Sequence, residues 1–306
     1  MGAPASAEGF VAHQQGAGTA SHFSRRAALA ALAALAAVAA PIPRGAADQP
    51  FRFGLTPVFL TSDLALLEGL QSYLSEAMGR EVRLVLRRTY QEITAELVSG
   101  QLDAACICGY PFIAYRDRLA LVAVPSWRGR NVYQAYLIAG SDRPVANVDD
   151  LRGDTHAFSD PDSNSGFLVT RALLAVRGQR PEGFFARNFF TYGHRNVVRA
   201  VASGLARSGS VDGYVWEVLN EVEPELTART QVVWRSEWMG FPPIATATAL
   251  TEAEQTRRFQ ASLAGMSMQP TGRRLLAMLR LDGFAAADPA LFDGIAQLVA
   301  SVRRAE

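Results

Sequence analysis

Apolar and polar positions switch along this chain between a period of two and a period near 3.6. Phe51-Arg52-Phe53-Gly54-Leu55 alternates as a strand and stops at Thr56-Pro57. Asp63 to Met78 has helical spacing and ends at Gly79, and Val82 to Leu86 returns to a strand. Thr89 is placed to cap a helix from Tyr90 to Ser99 that closes at Gly100. Leu102 to Ile107 reads as a buried strand, Pro111 to Tyr115 as a short helix, and Leu119 to Val124 and Val132 to Ile138 as strands.

The second half repeats this logic. Asn147 to Leu151 is a helical turn, Thr155 to Phe158 a strand, Ser165 to Arg177 a helix and Phe189 to Thr191 a strand. A helix from Asn196 to Ala202 follows, then a short strand from Val211 to Tyr214 and a helix starting at Glu217. Gln231 to Trp234 and the apolar run Ile244 to Leu250 flank the Gly240-Phe241-Pro242-Pro243 loop. Beyond Leu250 the pattern predicts three helices, over Glu252–Leu263, Thr271–Leu281 and Pro289–Val302, and no further strand. Such alternation predicts α/β architecture with mostly parallel sheets.

The first 47 residues read differently. Ser24-Arg25-Arg26-Ala27-Ala28-Leu29 precedes an Ala/Leu/Val run from Ala30 to Ala40, then Pro41 and small residues up to Ala47. That is an export signal of twin-arginine type, cut near Ala47, with a degenerate general-secretion signal as the alternative. The apolar run is too short to span a bilayer. No cysteine lies near the cut, so no lipid anchor is expected there. The mature chain begins near Asp48 and is large enough to bury a core. With 30 basic and 29 acidic residues in 306, the charge balance of +1 points away from nucleic acid and membrane surfaces.

Candidate chemistry concentrates at Ser159-Asp160-Pro161-Asp162-Ser163-Asn164-Ser165-Gly166-Phe167-Leu168. Asp160-Pro161 is turn chemistry, and Ser163 and Asn164 bond readily to nearby backbone N–H groups. A helix that starts here presents unpaired N–H donors and a positive dipole end, which suit a tetrahedral oxyanion. A plain N-cap is the alternative. Both cysteines lie in Ala105-Cys106-Ile107-Cys108-Gly109, two apart on a strand, where a disulfide between them is strained. They are expected as thiols, with Cys108 at the strand end able to face a cleft. No nucleophile elbow and no metal-spaced histidine cluster occurs. His13 and His22 fall in the signal, leaving His156 and His194, so neither an enzyme, a metal nor a cofactor is expected.

Taken together, these segments resemble the periplasmic phosphonate/phosphite/phosphate-binding proteins of ABC importers, over roughly Phe53 to Phe284. The resemblance rests on an ordered set. It runs through Gly54-Leu55; Tyr90 opening a helix that closes at Gly100-Gln101-Leu102-Asp103-Ala104; Tyr133; Asp160 to Phe167; Gly193-His194; Val211-Asp212; and Val233-Trp234-Arg235-Ser236. It implies a type II binding protein, a Venus flytrap of two α/β lobes joined by two hinge crossovers. Lobe 1 is expected over 51–134 plus 245–306 and lobe 2 over 135–244. Implied ligand residues are Ser163, Asn164, Ser165 and Gly166 in the anion turn, Tyr90 and Tyr133 from the facing lobe, His194, and Asp212. Tyr214-Val215-Trp216-Glu217 places aromatics after Asp212, and Trp216 is expected either to close the cleft or to pack. Arg195, where an aminoalkylphosphonate binder carries an acid, argues against an amine-bearing ligand. The implied partners are an ABC permease and ATPase around a monomer in the periplasm. A related branch of the fold binds arsenite through a cleft cysteine and reports to a membrane sensor kinase, which makes Cys108 the marker of an alternative.

Overall fold

The computed structural model describes residues 49–56 and 64–305. The expected export signal and its expected cut near Ala47, together with Pro57 and Asp63, lie outside the described residues. The strands are β1 (Phe51–Leu55), β2 (Val82–Leu86), β3 (Ala104–Cys106), β4 (Leu119–Ser126), β5 (Val132–Tyr133), β6 (Ala135–Gly140), β7 (Thr155–Phe158), β8 (Arg187–Phe190), β9 (Ser208–Asp212), β10 (Thr230–Arg235), β11 (Met239–Gly240), β12 (Ile244–Ala247) and β13 (Gly283–Ala285). They form a six-stranded sheet, β13-β4-β12-β3-β1-β2, a five-stranded sheet, β10-β6-β9-β7-β8, and a two-stranded ladder, β11-β5.

Each large sheet has a parallel part built by strand–helix–strand units: β1 with β2 and β3, and β7 with β8 and β9. Antiparallel partners join where the chain changes sheet. β6 enters beside β9 and is flanked by β10, while β12 returns between β3 and β4. The sheets are therefore mixed, because a strand arriving from the other sheet needs no helical crossover to run against its neighbour. The β5–β11 ladder pairs Tyr133 with Met239 and Val132 with Gly240, so it ties the outgoing connection to the returning one.

Most predicted elements appear, with informative shifts. Thr89 caps the helix Tyr90–Val98 in a full capping box: Glu92 N–H donates to Thr89 Oγ1 at 3.2 Å, and Thr89 N–H to the Glu92 carboxylate at 2.9 Å. The expected strand Val132–Ile138 is broken at Gln134, where Ser236 receives the Ala135 N–H on its hydroxyl at 2.8 Å. The expected strand to Tyr214 ends instead at Asp212. The next helix spans Gly213–Val222, starting before Glu217, because the Asp212 carboxylate caps it by accepting from Val215 N–H at 3.3 Å. Strands also do not stop at Leu250. β13 pairs antiparallel with β4 at Phe284 and Pro125, a three-residue edge too short to alternate visibly.

Aromatic side chains fill the cores. Phe259, on the helix Glu254–Ala264, packs its ring 4.8 Å from Phe51 and 4.9 Å from Phe53. Under the second sheet, Phe158 meets Phe167 at 4.9 Å and Phe190 at 5.7 Å. Among the described residues no helix is long and apolar enough to cross a membrane.

Candidate functional site

The Ser159–Leu168 segment follows β7 directly. Ser163 caps a wide π-helical turn, Asn164–Leu168, which runs on into the helix Val169–Ala175. Its hydroxyl accepts from Gly166 N–H at 3.0 Å, so Ser163 acts first as a cap. Turns of this π type recur at functional sites, where the widened backbone exposes donors. Gly166 is required by closeness: a Cβ there falls 1.8 Å from Ser159 Oγ and 3.0 Å from the His194 ring. Three site elements thus meet at one backbone point.

Residues from the six-stranded sheet and the two connections close over this turn. Tyr90 is the first residue of its helix, and its N–H donates to Asp160 Oδ2 at 3.2 Å. Cys108 is the N-cap residue of the helix Gly109–Ala114, and its Sγ accepts the Asn164 N–H at 3.0 Å. The Asn164 amide donates to Tyr133 Oη at 2.9 Å and to Met239 Sδ at 3.5 Å, across the β5–β11 ladder. Asn164 therefore bridges from the turn to both connections, which a hydroxyl at this position is too short to do.

His194 opens the helix His194–Ala202, and its Nδ1 accepts the Asp212 N–H at 3.1 Å. An accepting Nδ1 carries no proton, so the neutral ring bears its proton on Nε2. Burial holds the imidazole neutral, with its pKa pushed down to about 3. Asp212, also buried, is pushed up to about 7 by desolvation, against the N–H groups of Val215 and Tyr214. Burial lifts Tyr90 and Tyr133 well above the phenol range, with Cys108 next among the causes, so both stay hydroxyl donors. The Cys108 thiol rises to about 12, mainly by burial, although the Asn164 N–H pulls it down.

Tyr90, Cys108, Tyr133, Ser159, Ser163, Asn164, Ser165, His194 and Asp212 are each at most 1% exposed. Yet Tyr90 Oη, Ser159 Oγ, Asn164 Oδ1, Ser165 Oγ, His194 Nε2 and Asp212 Oδ2 make no well-formed hydrogen bond to the protein, Ser165 only lying near the Tyr133 hydroxyl. Buried polar atoms are normally paired, so six unpaired ones in one neighbourhood leave hydrogen-bond capacity that the chain itself does not use. Four are neutral donors. The other two are an amide oxygen and a carboxyl poised between its two states. No arginine or lysine is among them, and among the described residues no His/Cys/Asp/Glu cluster could hold a metal.

The structure brings together Tyr90, Cys108, Tyr133, Ser163, Asn164, Ser165, Gly166, His194 and Asp212. Trp216 does not join them: its indole N–H donates to Thr230 Oγ1 at 3.1 Å and its ring lies 6.1 Å from Tyr136. The four-residue shift of the helix start turns Trp216 onto the packed side of that helix, so packing is its role. Arg195 pairs with Glu223 at 2.6 Å. Cys106 and Cys108 are both free and buried. Sequence reasoning missed Ser159 and Met239. Ser159 stood in the recognised segment, but as a β-strand end it carried no capping signal. Met239 is brought in only by the β5–β11 pairing.

Residues 53–292 match the family model described as the periplasmic substrate-binding protein of phosphonate ABC transporters. A binding protein component of an ABC phosphonate transporter from Pseudomonas aeruginosa superposes with a TM-score of 0.77 at 22% identity, covering 84% of this chain and 88% of that one. PhnD1 from Prochlorococcus marinus, solved with methylphosphonate, superposes at 0.74 with 16% identity over 84% of this chain and 99% of its own. A histidine kinase sensor domain similar to periplasmic binding proteins is more distant, with a TM-score of 0.52 and 19% identity over 76% of this chain and 96% of its own. At these identities the structures speak for the fold.

Proposed function

Because the chain belongs to the periplasmic substrate-binding proteins of phosphonate ABC transporters, we propose that the site around Asn164–Gly166 binds a small phosphorus oxyanion for import. The family is a transport component, with a permease and an ATPase as its membrane partners. The ligand class proposed is methylphosphonate, phosphite or phosphate. The observation that carries it is the set of unpaired, buried, uncharged donors: Tyr90 Oη, Ser159 Oγ, Ser165 Oγ and His194 Nε2–H. Such donors hold an anion without the desolvation cost of a buried ion pair. Asp212 and Asn164 Oδ1 suit the P–OH of a singly protonated ligand, and a protonated Asp212 suits a more highly charged one. Either way one proton lies between ligand and carboxyl.

Around this site we place two lobes, 51–134 with 245–306 and 135–244, hinged at the β5–β11 connections. Residues 1–47 serve as a twin-arginine export signal removed near Ala47, and the mature protein acts as a monomer. The arsenite reading is disfavoured. A thiol raised to about 12 supplies no thiolate for a soft ligand, and its sulfur already accepts the Asn164 N–H at 3.0 Å.

Thermal shift and calorimetry on the chain from Asp48 onward test the reading, with methylphosphonate, phosphite, phosphate and arsenite as probes. A phosphorus oxyanion is expected to stabilise the protein and arsenite to leave it unchanged. Arsenite stabilisation lost in Cys108→Ser, with no response to the phosphorus anions, would overturn it.

A further inference from the structure

Two arginines with an unusual backbone reach the same carboxylate. Arg128 and Arg280 have φ of 50° and 56°, and the third such non-glycine residue among those described is Tyr192. Left-handed backbone is unfavourable for a non-glycine residue, and such outliers persist where the surrounding structure holds them. Arg128 sits in the tight turn Trp127–Arg130, which is closed by Trp127 N–H to Arg130 O at 2.8 Å and anchored by Gly129 N–H to Asp282 Oδ2 at 2.7 Å. Arg280 is the C-cap of the helix Pro270–Leu279. Both belong to the body of the six-stranded sheet.

Their common target is the helix Gly213–Val222, which continues from β9 of the other sheet. Glu221 meets Arg128 at 3.3 Å and Arg280 at 3.1 Å, and Glu217 meets Arg128 at 3.5 Å. Glu217 is also held by the Tyr136 hydroxyl at 3.0 Å. One turn nearer the site, the Tyr214 hydroxyl donates to Leu279 O at 2.5 Å, and its ring packs 5.7 Å from Trp127 and 5.1 Å from Phe241. The N-cap of this helix is Asp212, in the ligand site.

We propose that Arg128, Arg280, Glu217 and Glu221 form an electrostatic clasp that holds the Asp212 helix against the facing body and so sets ligand affinity from outside the site. They are positioning residues and touch no ligand. The inference rests on the ligand reading of the Asp212 site. The ion pairs are half exposed, so salt screens them, whereas the buried site is shielded. Ligand affinity is then salt-dependent through the clasp.

Calorimetric titration of methylphosphonate, phosphite and phosphate into wild type, Glu221→Gln and Arg280→Gly tests the clasp. The expected result is roughly three- to ten-fold weaker binding in both variants. The dependence on salt between about 0.05 and 0.5 M should be largely lost in them. Arg280→Gly is the sharper variant, because glycine relieves the left-handed C-cap. Its ligand-free melting temperature should hold or rise while affinity falls, a split that a merely structural ion pair does not produce. Unchanged affinity and unchanged salt dependence in both variants would overturn the clasp. If no probe binds wild type, the ligand reading fails separately. The clasp is then decided by amide exchange: faster exchange over 213–222 in Glu221→Gln upholds it, and equal exchange overturns it.

Discussion

His156 and His194 are alike in burial and pKa and opposite in how their ring nitrogens are satisfied. Both are at most 1% exposed, and burial pushes both down to about 3. His156 lies in β7 with both ring nitrogens engaged, Nδ1 with Ser208 Oγ and Nε2 with Ser210 Oγ, each at 2.8 Å. Its ring stacks 4.0 Å from Phe185, and Ser210 passes the network on to Thr170 at 2.7 Å. His194 has one nitrogen engaged, by Asp212 N–H, and the other without a hydrogen-bond partner in the protein. Burial and a depressed pKa therefore do not separate a histidine fully satisfied by the core from one with a nitrogen left over. What the second nitrogen meets does.

Substitution breaks the pair apart most strongly at His156. His156→Ala removes a stacked ring, leaves the buried Ser208 hydroxyl without its partner and leaves Ser210 with Thr170 alone. It should cost about 3–5 kcal/mol of unfolding free energy, read by urea denaturation. The protein that remains folded should keep its ligand affinity within about threefold. A loss below about 1 kcal/mol would mean that His156 is not the structural member of the pair.

At His194 the signs exchange. His194→Ala, and likewise Ser165→Ala, should weaken anion binding by about 1.5–3 kcal/mol, on the order of ten- to a hundred-fold. Ligand-free stability should change less than in His156→Ala. Calorimetry of the best-bound phosphorus oxyanion measures this, and unchanged affinity in both variants removes this face from the site.

The two histidines also show how far the sequence could be read. His194 was legible because Gly193-His194 opens a helix in an ordered series of segments that resembles a known family, and His156 lay inside a predicted strand, Thr155–Phe158, that the structure reproduces. Tyr90 was legible through Thr89, whose capping signal is local. Trp216 stayed open between cleft and packing because Val211 to Tyr214 is apolar enough for a strand, and only the Asp212 cap ends β9 earlier and rotates the indole into packing. The bond from Cys108 to Asn164 joins residues 56 apart in sequence, and Met239 reaches Asn164 from 75 away. No local pattern encodes such pairs. The same holds for β13, whose three residues gain meaning only against β4.

A smaller effect separates the partners of His194. Asp212 is raised to about 7 by burial, so the folded chain holds a proton that the unfolded chain releases in the ordinary carboxylate range. Its contribution to stability is full below that range and is lost as pH rises through about 7. Binding follows the same direction, since an ionised Asp212 facing a fully deprotonated anion leaves no proton to share between them. Affinity should fall by at most about tenfold per pH unit above 7, and the difference between wild type and Asp212→Asn isolates this term from the ligand's own ionisation. Parallel pH profiles for the two proteins would place the shared proton elsewhere.

The smallest expected effect carries the comparison into one turn. Ser163 and Ser165 are both buried hydroxyls two residues apart, as the histidines are both buried rings. Ser163 Oγ already accepts from Gly166 N–H at 3.0 Å, whereas Ser165 Oγ makes no well-formed hydrogen bond to the protein. Ser163→Ala therefore removes a cap and should cost about 1 kcal/mol of stability. It also releases the Gly166 N–H, a donor at the same turn, which offsets any lost contact to the anion. Affinity should then shift by less than about threefold, well below the change in Ser165→Ala. Denaturation and calorimetry on the two single variants read both halves. A Ser163→Ala protein of full stability with affinity reduced as far as in Ser165→Ala would show that partner-counting at the hydroxyl fails as a guide, and with it the same argument at the histidines.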